Sequence, residues 1–203
     1  MIKCNVTVCG VIGRDASIRT NKEGKTFLVF PLRVMIPDTD GKTMPIEVDV
    51  SKDTAGKEVS KYRNGSRIEV SGTMYLKHRG DKLYFNLFIN EIRTATADAK
   101  DTVKGELVFR GKVGQHIEEK RDQKDQPYTM FSAFSTEKVE DGFEYQWVRF
   151  FCFGKEREAW LQPGVRVDAK GEISLSAYNG KLNVSCKVEE LVQYVADSSN
   201  SNQ

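Results

Sequence analysis

The chain has 203 residues, of which 39% are hydrophobic and 30% charged, and its formal net charge is +2. This length suits one or two globular domains with a packed core. No apolar run approaches the roughly 20 residues that a membrane helix needs. The opening residues, MIKCNVTVCG, alternate like a strand and do not resemble a signal peptide. We therefore expect a cytoplasmic protein with no membrane partner.

The first half of the chain predicts alternating strands and one helix. TAGKEVSKYRNG predicts a short helix because it ends on Asn-Gly, a helix stop signal. The predicted elements are a strand at 4–13, a polar loop at 14–25, strands at 26–36 and 44–51 around turn residues at 37–43, the helix at 54–65, and a hairpin of two strands that turns at 79–81.

The second half of the chain repeats the first. GSRIEVSGTMYLKHRGDKLYFNLFINEI, from Gly65, aligns without a gap on GVRVDAKGEISLSAYNGKLNVSCKVEEL, from Gly164, at a constant offset of 99 residues. VCGVIGRD, from Val8, likewise resembles FRGKVGQH, from Phe109. A fixed period of this kind indicates two copies of one structural unit.

The boundary between the two copies falls in TATADAKDTVKG, residues 94–105, which is polar and poor in large apolar residues. We predict one domain at 1–95, named copy one, and a second at 104–195, named copy two. The polar residues 196–203 are expected to be a disordered tail.

Copy two follows the same course as copy one and defines the fold class. Its predicted elements are strands at 107–114, 127–136 and 144–153, a polar loop at 115–126, turn residues at 137–143, a short helix at 155–164, and a hairpin that turns at 178–180. Five strands with a helix between the third and fourth is the order of the OB-fold, a small Greek-key barrel. We therefore predict an all-β protein of two tandem five-stranded OB-fold barrels, each with a short helix between strands 3 and 4.

The third strand of copy two carries an unusual number of rings. In EYQWVRFFCFG, residues 144–154, alternate side chains of a strand point to opposite faces. One face then holds Val148, Phe150 and Cys152, as a core face would. The other face holds Tyr145, Trp147, Arg149, Phe151 and Phe153. Because an unpaired arginine is costly to bury, this second face is predicted to be a binding face.

WVRFFCFGK, residues 147–155, and the following LQPGVRVDAKGEI resemble the bacterial single-stranded DNA-binding protein family. In that family a Trp-x-Arg strand runs into Phe-Gly-Lys, a helix, a Gly-x-x-Val/Ile turn and a strand ending at Gly. GKVG (111–114) and GVIGRD (10–15) resemble its Gly-x-(Val/Leu)-Gly start. The resemblance covers copy two almost throughout, and copy one through its frame more than its surface.

The resemblance implies that Trp147 and Phe153 stack on bases and that Tyr178 lies near a third stacking ring. An aromatic position between the second and third strands of the family has no clear match, since the place falls near Val139. Stacked rings hold unpaired bases of any sequence, and cationic side chains neutralise phosphates. The predicted nucleic-acid-binding residues are Tyr145, Trp147, Arg149, Phe151, Phe153, Lys155, Tyr178, Lys181 and Lys112. Trp160 is expected in the core or in an interface.

Copy one differs at the corresponding strand, PIEVDVSK, residues 45–52. In the register that keeps the core continuous, its outer face carries Glu47 and Asp49, which repel phosphate, and no ring. An alternative register, which aligns Lys52 with Lys155, places apolar residues on that face instead.

Copy one is nevertheless the basic half of the chain. Residues 1–100 contain 17 basic and 12 acidic residues, a charge of +5, whereas residues 101–203 contain 14 basic and 17 acidic residues, a charge of −3. The last hairpin of copy one either guides or binds nucleic acid, or is a solvated hairpin with tyrosines at its edges. Its candidate residues, as a secondary site, are Tyr75, Lys77, Arg79, Lys82 and Tyr84.

The sequence predicts a non-enzymatic protein that binds single-stranded DNA, with RNA as an open alternative, in replication, recombination or repair. The alternative is an OB-fold protein-interaction module whose aromatic strand is an interface. The four cysteines and two histidines lack the spacing of a zinc site, so we expect reduced thiols, no metal and no cofactor.

Two expectations come from the resemblance alone. Family members place four OB-folds around one strand, which implies a homodimer here. The family's acidic recruitment tail has no counterpart in VADSSNSNQ, which favours a phage or mobile-element version.

Overall fold

The computed structural model describes residues 2–39, 41–54, 58–80, 82–140, 142–154 and 156–194. Eleven strands account for most of them, and their sequences alternate between buried apolar and exposed polar positions. The strands are β1 (Ile2–Ile12), β2 (Ser17–Thr20), β3 (Thr26–Pro37), β4 (Thr43–Asp53), β5 (Arg67–Arg79), β6 (Lys82–Thr94), β7 (Thr102–Arg121), β8 (Pro127–Val139), β9 (Gly142–Phe153), β10 (Arg166–Tyr178) and β11 (Lys181–Gln193).

Five strands of each copy close into a barrel. In copy one, β1 pairs with β5, β5 with β6, β6 with β4 in parallel, and β4 with β3, which closes on β1. In copy two, β7, β10, β11, β9 and β8 repeat this order, again with one parallel pair, between β11 and β9. A closed five-stranded barrel with this strand order is an OB-fold. The prediction of an all-β chain built on this barrel is confirmed.

The offset of 99 residues is also visible in the backbone. Both hairpins have a register shift at the same place, between Ser71 and Gly72 in copy one and between Lys170 and Gly171 in copy two. A Cβ atom on Gly72 would lie 2.1 Å from the carbonyl oxygen of Phe88, and a Cβ atom on Gly171 would lie 2.1 Å from that of Lys187. Glycine is therefore required at both bulges, because the neighbouring strand approaches too closely for any side chain.

The predicted helices between strands 3 and 4 are not present among the described residues. Copy one has a single 3-10 turn at Val59–Lys61, and residues 156–165 of copy two form turns. In copy two, Leu161 and Val165 each bond the carbonyl three residues earlier, while Gly164 donates to Val113 on β7. A segment this short cannot nucleate a helix alone, so tertiary bonds and tight turns take its place.

Strand pairing also extends into the predicted polar loops. In copy one, β2 lies inside the loop expected at 14–25 and pairs with β3. In copy two, β7 continues through the loop expected at 115–126 as far as Arg121, with a register shift between Val113 and Ile117. Their exposed polar side chains gave no apolar alternation, which is why these strands read as loops.

The two barrels share one continuous sheet. Strands β1 and β7 pair antiparallel from Lys3 opposite Val108 to Cys9 opposite Thr102. Buried side chains of both barrels form one apolar cluster beneath this seam. All four cysteines lie among the described residues and none of them is in a disulfide; burial raises the pKa of Cys4 and of Cys186 to about 12. These two thiols are therefore protonated and unreactive in the folded protein.

Each copy reaches over the other with one hairpin. The tip of β5–β6 contacts copy two, where the backbone N–H of Gly80 donates to the Glu144 carboxylate at 3.0 Å. The tip of β10–β11 contacts copy one, where the N–H of Thr39 donates to the carbonyl of Ala177 at 3.3 Å. Through these two contacts, the basic β5–β6 hairpin of copy one lies beside the ring-rich strand β9 of copy two.

No helix of the described residues is long and apolar enough to span a membrane.

Candidate nucleic-acid interface

The outer face of β9 carries the predicted rings. Val148 and Phe150 point into the core, where Phe150 packs against Phe109 and Phe131 at ring-centroid distances of 4.9 and 5.2 Å. The alternate side chains point outward, and Tyr145, Trp147 and Phe153 remain 50%, 49% and 46% exposed. We name the outward set, Tyr145, Trp147, Arg149, Phe151 and Phe153, the aromatic face.

Strand β8 adds rings that the sequence reasoning missed. Phe134 lies directly opposite Trp147, and their ring centroids are 4.9 Å apart. Tyr128 lies opposite Phe153 and stacks on it at 5.2 Å. Alternation in PYTMFSAFST would have placed both rings on the outer face, since Thr129, Phe131 and Ala133 are buried.

The family's aromatic position that has no match in this sequence falls near Val139, and the structure places an exposed ring close to that position. Phe143, on the same face of β9 as Tyr145, is 60% exposed near the tip of the β8–β9 hairpin. Phe143 is an even number of residues from Trp147, so alternation along the strand would have assigned both rings to the same face. The row of rings on β9 therefore extends to the tip of this hairpin.

The bulge in β7 makes room for the tryptophan. A Cβ atom on Gly114 would lie 3.0 Å from Cζ3 of Trp147 and 3.0 Å from the carbonyl oxygen of Ser132. The six-membered ring of the indole therefore lies close to the bare backbone at Gly114, where a side chain would collide with it. Trp147 packs against Phe134 as well and still remains 49% exposed.

Cationic side chains border the rings on the same surface. Lys112 on β7 lies opposite Phe134, which lies opposite Trp147, so the three side chains form one row across the strands. Lys112 is exposed, and Arg166 continues the row on β10. An ammonium and a guanidinium beside exposed rings can hold the phosphates of a strand whose bases stack on those rings.

Arg149 is exposed in the middle of the aromatic face. Among the described residues its guanidinium has no ion-pairing carboxylate or hydrogen-bond acceptor. The Lys120 ammonium, bonded to the Glu118 carboxylate at 2.6 Å, lowers the pKa of Glu118, and the charge of Arg149 lowers it further. Because Lys120 already holds Glu118, Arg149 is available for an external anion.

The remaining predicted residues of copy two lie apart from the aromatic face or outside the described residues. Tyr178 and Lys181 are exposed and opposite each other at the tip of β10–β11, the hairpin that reaches copy one. Lys155 lies outside the described residues. Trp160 is half-buried and packs against the core, as expected.

A groove of about 470 Å³ connects the two copies beside the aromatic face. Trp147, Arg149 and Asn183 line it from copy two, and His78 lines it from the β5–β6 hairpin of copy one. No sequence pattern singles out His78, because it reaches this groove through the contact of the β5–β6 hairpin with copy two. The aromatic face is thus continuous with the basic hairpin of copy one.

In copy one the structure supports the register that keeps the core continuous. Ile46, Val48 and Val50 are buried, and Glu47 and Asp49 point outward. The parallel pairs with the last strand of each barrel make Asp49, opposite Asn86, the counterpart of Arg149, opposite Ser185. The two copies therefore carry opposite charges at the same place in the barrel.

Four of the five secondary candidates of copy one, all except Lys82, line a groove on β5 and β6. Tyr75 lies opposite Asn86 and Lys77 opposite Tyr84, while Lys82 is exposed at the start of β6. Phe88, which the sequence reasoning missed, is 52% exposed, and its ring meets that of Tyr75 edge-on at 6.1 Å. We name this cavity of about 590 Å³ the copy-one groove; it is lined by Asp49, Tyr75, Lys77, Tyr84, Asn86 and Phe88, with Arg79 at the hairpin end.

The described residues contain no cluster of histidine, cysteine or carboxylate side chains that could hold a metal ion. Fold and surface together define an all-β protein built on closed five-stranded barrels, with a strand face of exposed rings and cations.

No protein-family model and no curated protein matches this chain. Among solved structures it is similar to the wild-type single-stranded DNA binding protein from Thermus aquaticus, with 12% identity and a TM-score of 0.47, over 100% of this chain and 97% of that chain. It is also similar to the Plasmodium falciparum SSB in its complex with ssDNA, with 18% identity and a TM-score of 0.35, over 45% of this chain and 95% of that chain. A third is the small single-stranded DNA-binding protein from Streptomyces coelicolor, with 11% identity and a TM-score of 0.36, over 45% of this chain and 94% of that chain.

Proposed function

We propose that the protein binds single-stranded DNA without catalysing a reaction and largely without regard to sequence. Bases stack on the aromatic face, chiefly on Trp147 and Phe153, and phosphates contact Arg149 and Lys112. Each base stacked on an aromatic side chain contributes roughly 1–3 kcal/mol, and stacking tolerates any base because every base has a π-face. The setting of this activity is DNA replication, recombination or repair.

One observation carries the proposal: rings on a single strand face remain half exposed, and between them lies an arginine that pairs with no carboxylate in the described part of the chain. Tyr145, Trp147 and Phe153 are about half exposed although their apolar area favours burial. An exposed apolar patch of this kind marks a binding surface. Among the described residues, Arg149 has no carboxylate to pair with, so the partner that fits this surface is apolar and anionic at once, as an unpaired nucleic-acid strand is.

The net charge of −3 on residues 101–203 opposes strand binding, but several of the acidic residues in copy two are already engaged. Glu118 pairs with Lys120, Glu119 with Arg157, and Glu144 accepts the bond from Gly80. Copy one, with its charge of +5, supplies the attractive field at long range. We further propose that two chains assemble as a homodimer, which presents four OB-folds to one strand.

The first test is a tryptophan-fluorescence titration with unlabelled oligothymidine at low and at moderate salt, on the wild type and on Trp147→Ala. We expect saturable quenching in the wild type, loss of that quenching in Trp147→Ala, and an affinity that falls linearly with salt on a log–log scale. Trp160, packed against the core, remains in both proteins as the internal reference.

The same titration distinguishes the alternative function. Absence of quenching and of salt-dependent binding in the wild type would contradict strand binding. The aromatic face would then be an interface with another protein, since interfaces also favour Trp, Tyr, Phe and Arg. A parallel series with oligodeoxyuridine and oligouridine separates DNA from RNA, because these two strands differ along their length only in the ribose 2′-hydroxyl.

A further inference from the structure

The copy-one groove has the parts of a second strand-binding site, with one part that does not suit phosphate. Three rings, Tyr75, Tyr84 and Phe88, line a cavity of about 590 Å³, which lies within the range of roughly 300–1,000 Å³ that small-molecule sites occupy. Lys77 lines the same cavity, with Arg79 at its hairpin end. Asp49 contributes a carboxylate to this otherwise aromatic and basic surface.

The carboxylate of Asp49 is unsatisfied by the protein. Asp49 is exposed on β4, and among the described residues its side chain has no hydrogen-bond donor or ion-pair partner. Its neighbour on the same face, Glu47, differs, because Arg14 lies 3.7 Å from the Glu47 carboxylate. A bare carboxylate among cations and rings weakens phosphate binding unless the ligand itself donates a hydrogen bond to it.

The neighbouring strands place Asp49 where the edge of a stacked base would lie. Asp49 pairs with Asn86 on β6, and Asn86 lies opposite Tyr75 on β5, so acid, amide and ring form one row across three strands. The rings of Tyr75 and Phe88 lie along the next two strands from Asp49. A base stacked on these rings presents its polar edge toward the carboxylate and the amide.

We infer that the copy-one groove selects bases with an exocyclic amino group and that Asp49 is the residue that determines this preference. The inference rests on the proposed function, because it assigns a base preference to the second copy of the same strand-binding protein. A carboxylate only accepts hydrogen bonds, and the N4 amino group of cytosine donates one, whereas thymine carries the O4 acceptor at that position. Thymine in the groove therefore leaves the carboxylate facing an oxygen.

Copy two has no such discrimination in its corresponding place. Arg149 replaces Asp49 opposite the last strand of the barrel, and Ser185 replaces Asn86. The aromatic face therefore holds any base, while the copy-one groove reads the base edge. The protein thus has one site that is indifferent to base identity and one that favours cytosine over thymine.

The test compares fluorescein-labelled oligodeoxycytidine and oligothymidine of equal length by anisotropy, at slightly alkaline pH where cytosine is neutral. The Trp147→Ala protein is used so that binding to copy two is weakened. We expect it to prefer oligodeoxycytidine by about tenfold, the factor that a hydrogen bond to a charged group confers when it is worth about 1.4 kcal/mol. Adding Asp49→Asn, whose amide both donates and accepts, should bring this ratio close to one.

Glu47→Gln is the matched control, because it removes the same charge from the same face of β4. It should raise the affinity for both oligonucleotides and leave their ratio unchanged. Equal affinities in Trp147→Ala, no measurable oligodeoxycytidine binding there, or a ratio that Asp49→Asn leaves intact would each overturn the inference. Quenching of Trp147 by oligothymidine in the wild type, measured alongside, would show that the proposed function stands in that case. Its absence, with no binding of either oligonucleotide, would reject both.

Discussion

Arg149 is the residue whose surroundings distinguish the two copies most sharply. It lies between Trp147 and Phe151 on the outer face of β9, and its counterpart in copy one is Asp49. A guanidinium binds phosphate and also stacks on rings, so under the proposed function it contacts a strand that lies along the aromatic face. A carboxylate at the corresponding place in copy one would repel the phosphates of such a strand unless a base donates a hydrogen bond to it. The two copies are therefore expected to differ in strand binding because of the opposite charges at this one position of the barrel.

Replacing Arg149 by Gln should weaken oligothymidine binding and make it less sensitive to salt. Each phosphate neutralised on a single strand contributes about −0.7 to the slope of log affinity against log salt. Loss of one phosphate contact should therefore make the slope shallower by about that amount. The measurement is a set of Trp147 quenching titrations over a range of salt concentrations.

Arg149→Lys serves as the control for this prediction, because it keeps the charge while losing the planar guanidinium. Its slope should equal that of the wild type. A slope that Arg149→Gln leaves unchanged would show that Arg149 does not contact phosphate.

At the scale of single elements, the strands were predictable and the connections were not. The alternation of Val148 and Phe150 with exposed rings identified both faces of β9, since burial enforces period two. The glycines at the hairpin bulges were visible as matched positions in the repeat. Strand β2 and the end of β7 escaped detection, because their exposed polar residues carry no apolar period. The expected helices failed because tertiary bonds, such as that of Gly164 to Val113, decide the conformation of short segments.

The candidate site was predictable in part for the same reason. Rings on β9 stood out because they adjoin one another in sequence, and alternation then assigned their face. Alternation along β8 could have assigned Phe134 and Tyr128 to the outer face, but their places beside Trp147 and Phe153 depend on the register of β8 with β9, which a single sequence does not reveal. His78 reaches the site through contact between the two copies. A residue that joins the site only through long-range strand pairing cannot be assigned to the site from sequence patterns.

Asp101, in the connection between the two copies, bonds two residues of copy one. Asp101 accepts a hydrogen bond from the backbone N–H of Met35 at 2.7 Å and pairs with Arg67. The hydrogen bond to the Asp101 carboxylate raises the pKa of Arg67. The side chain of Asp101 is only 9% exposed, so water cannot replace these partners. This carboxylate therefore fixes the residues that precede β7 onto copy one.

Asp101→Asn should lower the free energy of unfolding by about 1–3 kcal/mol, because hydrogen bonds to charged groups are among the stronger ones in proteins. Urea denaturation followed by circular dichroism measures the change. Glu91→Gln breaks an ion pair with Arg93 in which both side chains are more than half exposed, and it should lower the free energy of unfolding much less than Asp101→Asn does. Equal effects of the two substitutions would mean that Asp101 is an ordinary surface charge.

At the scale of the whole molecule, the seam between β1 and β7 makes the two barrels one structure. Buried residues of both copies form one cluster, and each copy contacts the other through a hairpin tip. Disruption of the seam on copy two should therefore loosen copy one as well. Cys4, fully buried on β1, reports on copy one because its thiol reacts only when the barrel opens.

Gly105 on β7 is the place to disturb the seam. A Cβ atom there would lie 2.1 Å from the carbonyl oxygen of Asn5 and 2.8 Å from the Cα atom of Val6, both on β1. Gly41→Ala is the matched control, since Gly41 also has a positive φ but a Cβ atom on it would meet nothing within 4 Å. Both substitutions impose backbone strain, and only Gly105→Ala adds a collision with the neighbouring strand.

Gly105→Ala should therefore lower the free energy of unfolding by about 1–3 kcal/mol more than Gly41→Ala, the typical cost of overpacking. Under native conditions it should also increase the reaction rate of the Cys4 thiol with a disulfide reagent, although the substitution lies in copy two. Cys4 labelling is measured by peptide mass analysis, and urea unfolding by circular dichroism. If unfolding shifted while Cys4 stayed as protected as in Gly41→Ala, copy one would be stable without the seam. If Gly105→Ala both lowers the free energy of unfolding and raises the labelling rate of Cys4, the seam couples the two barrels. The strain on β7 then destabilises the core beneath β1.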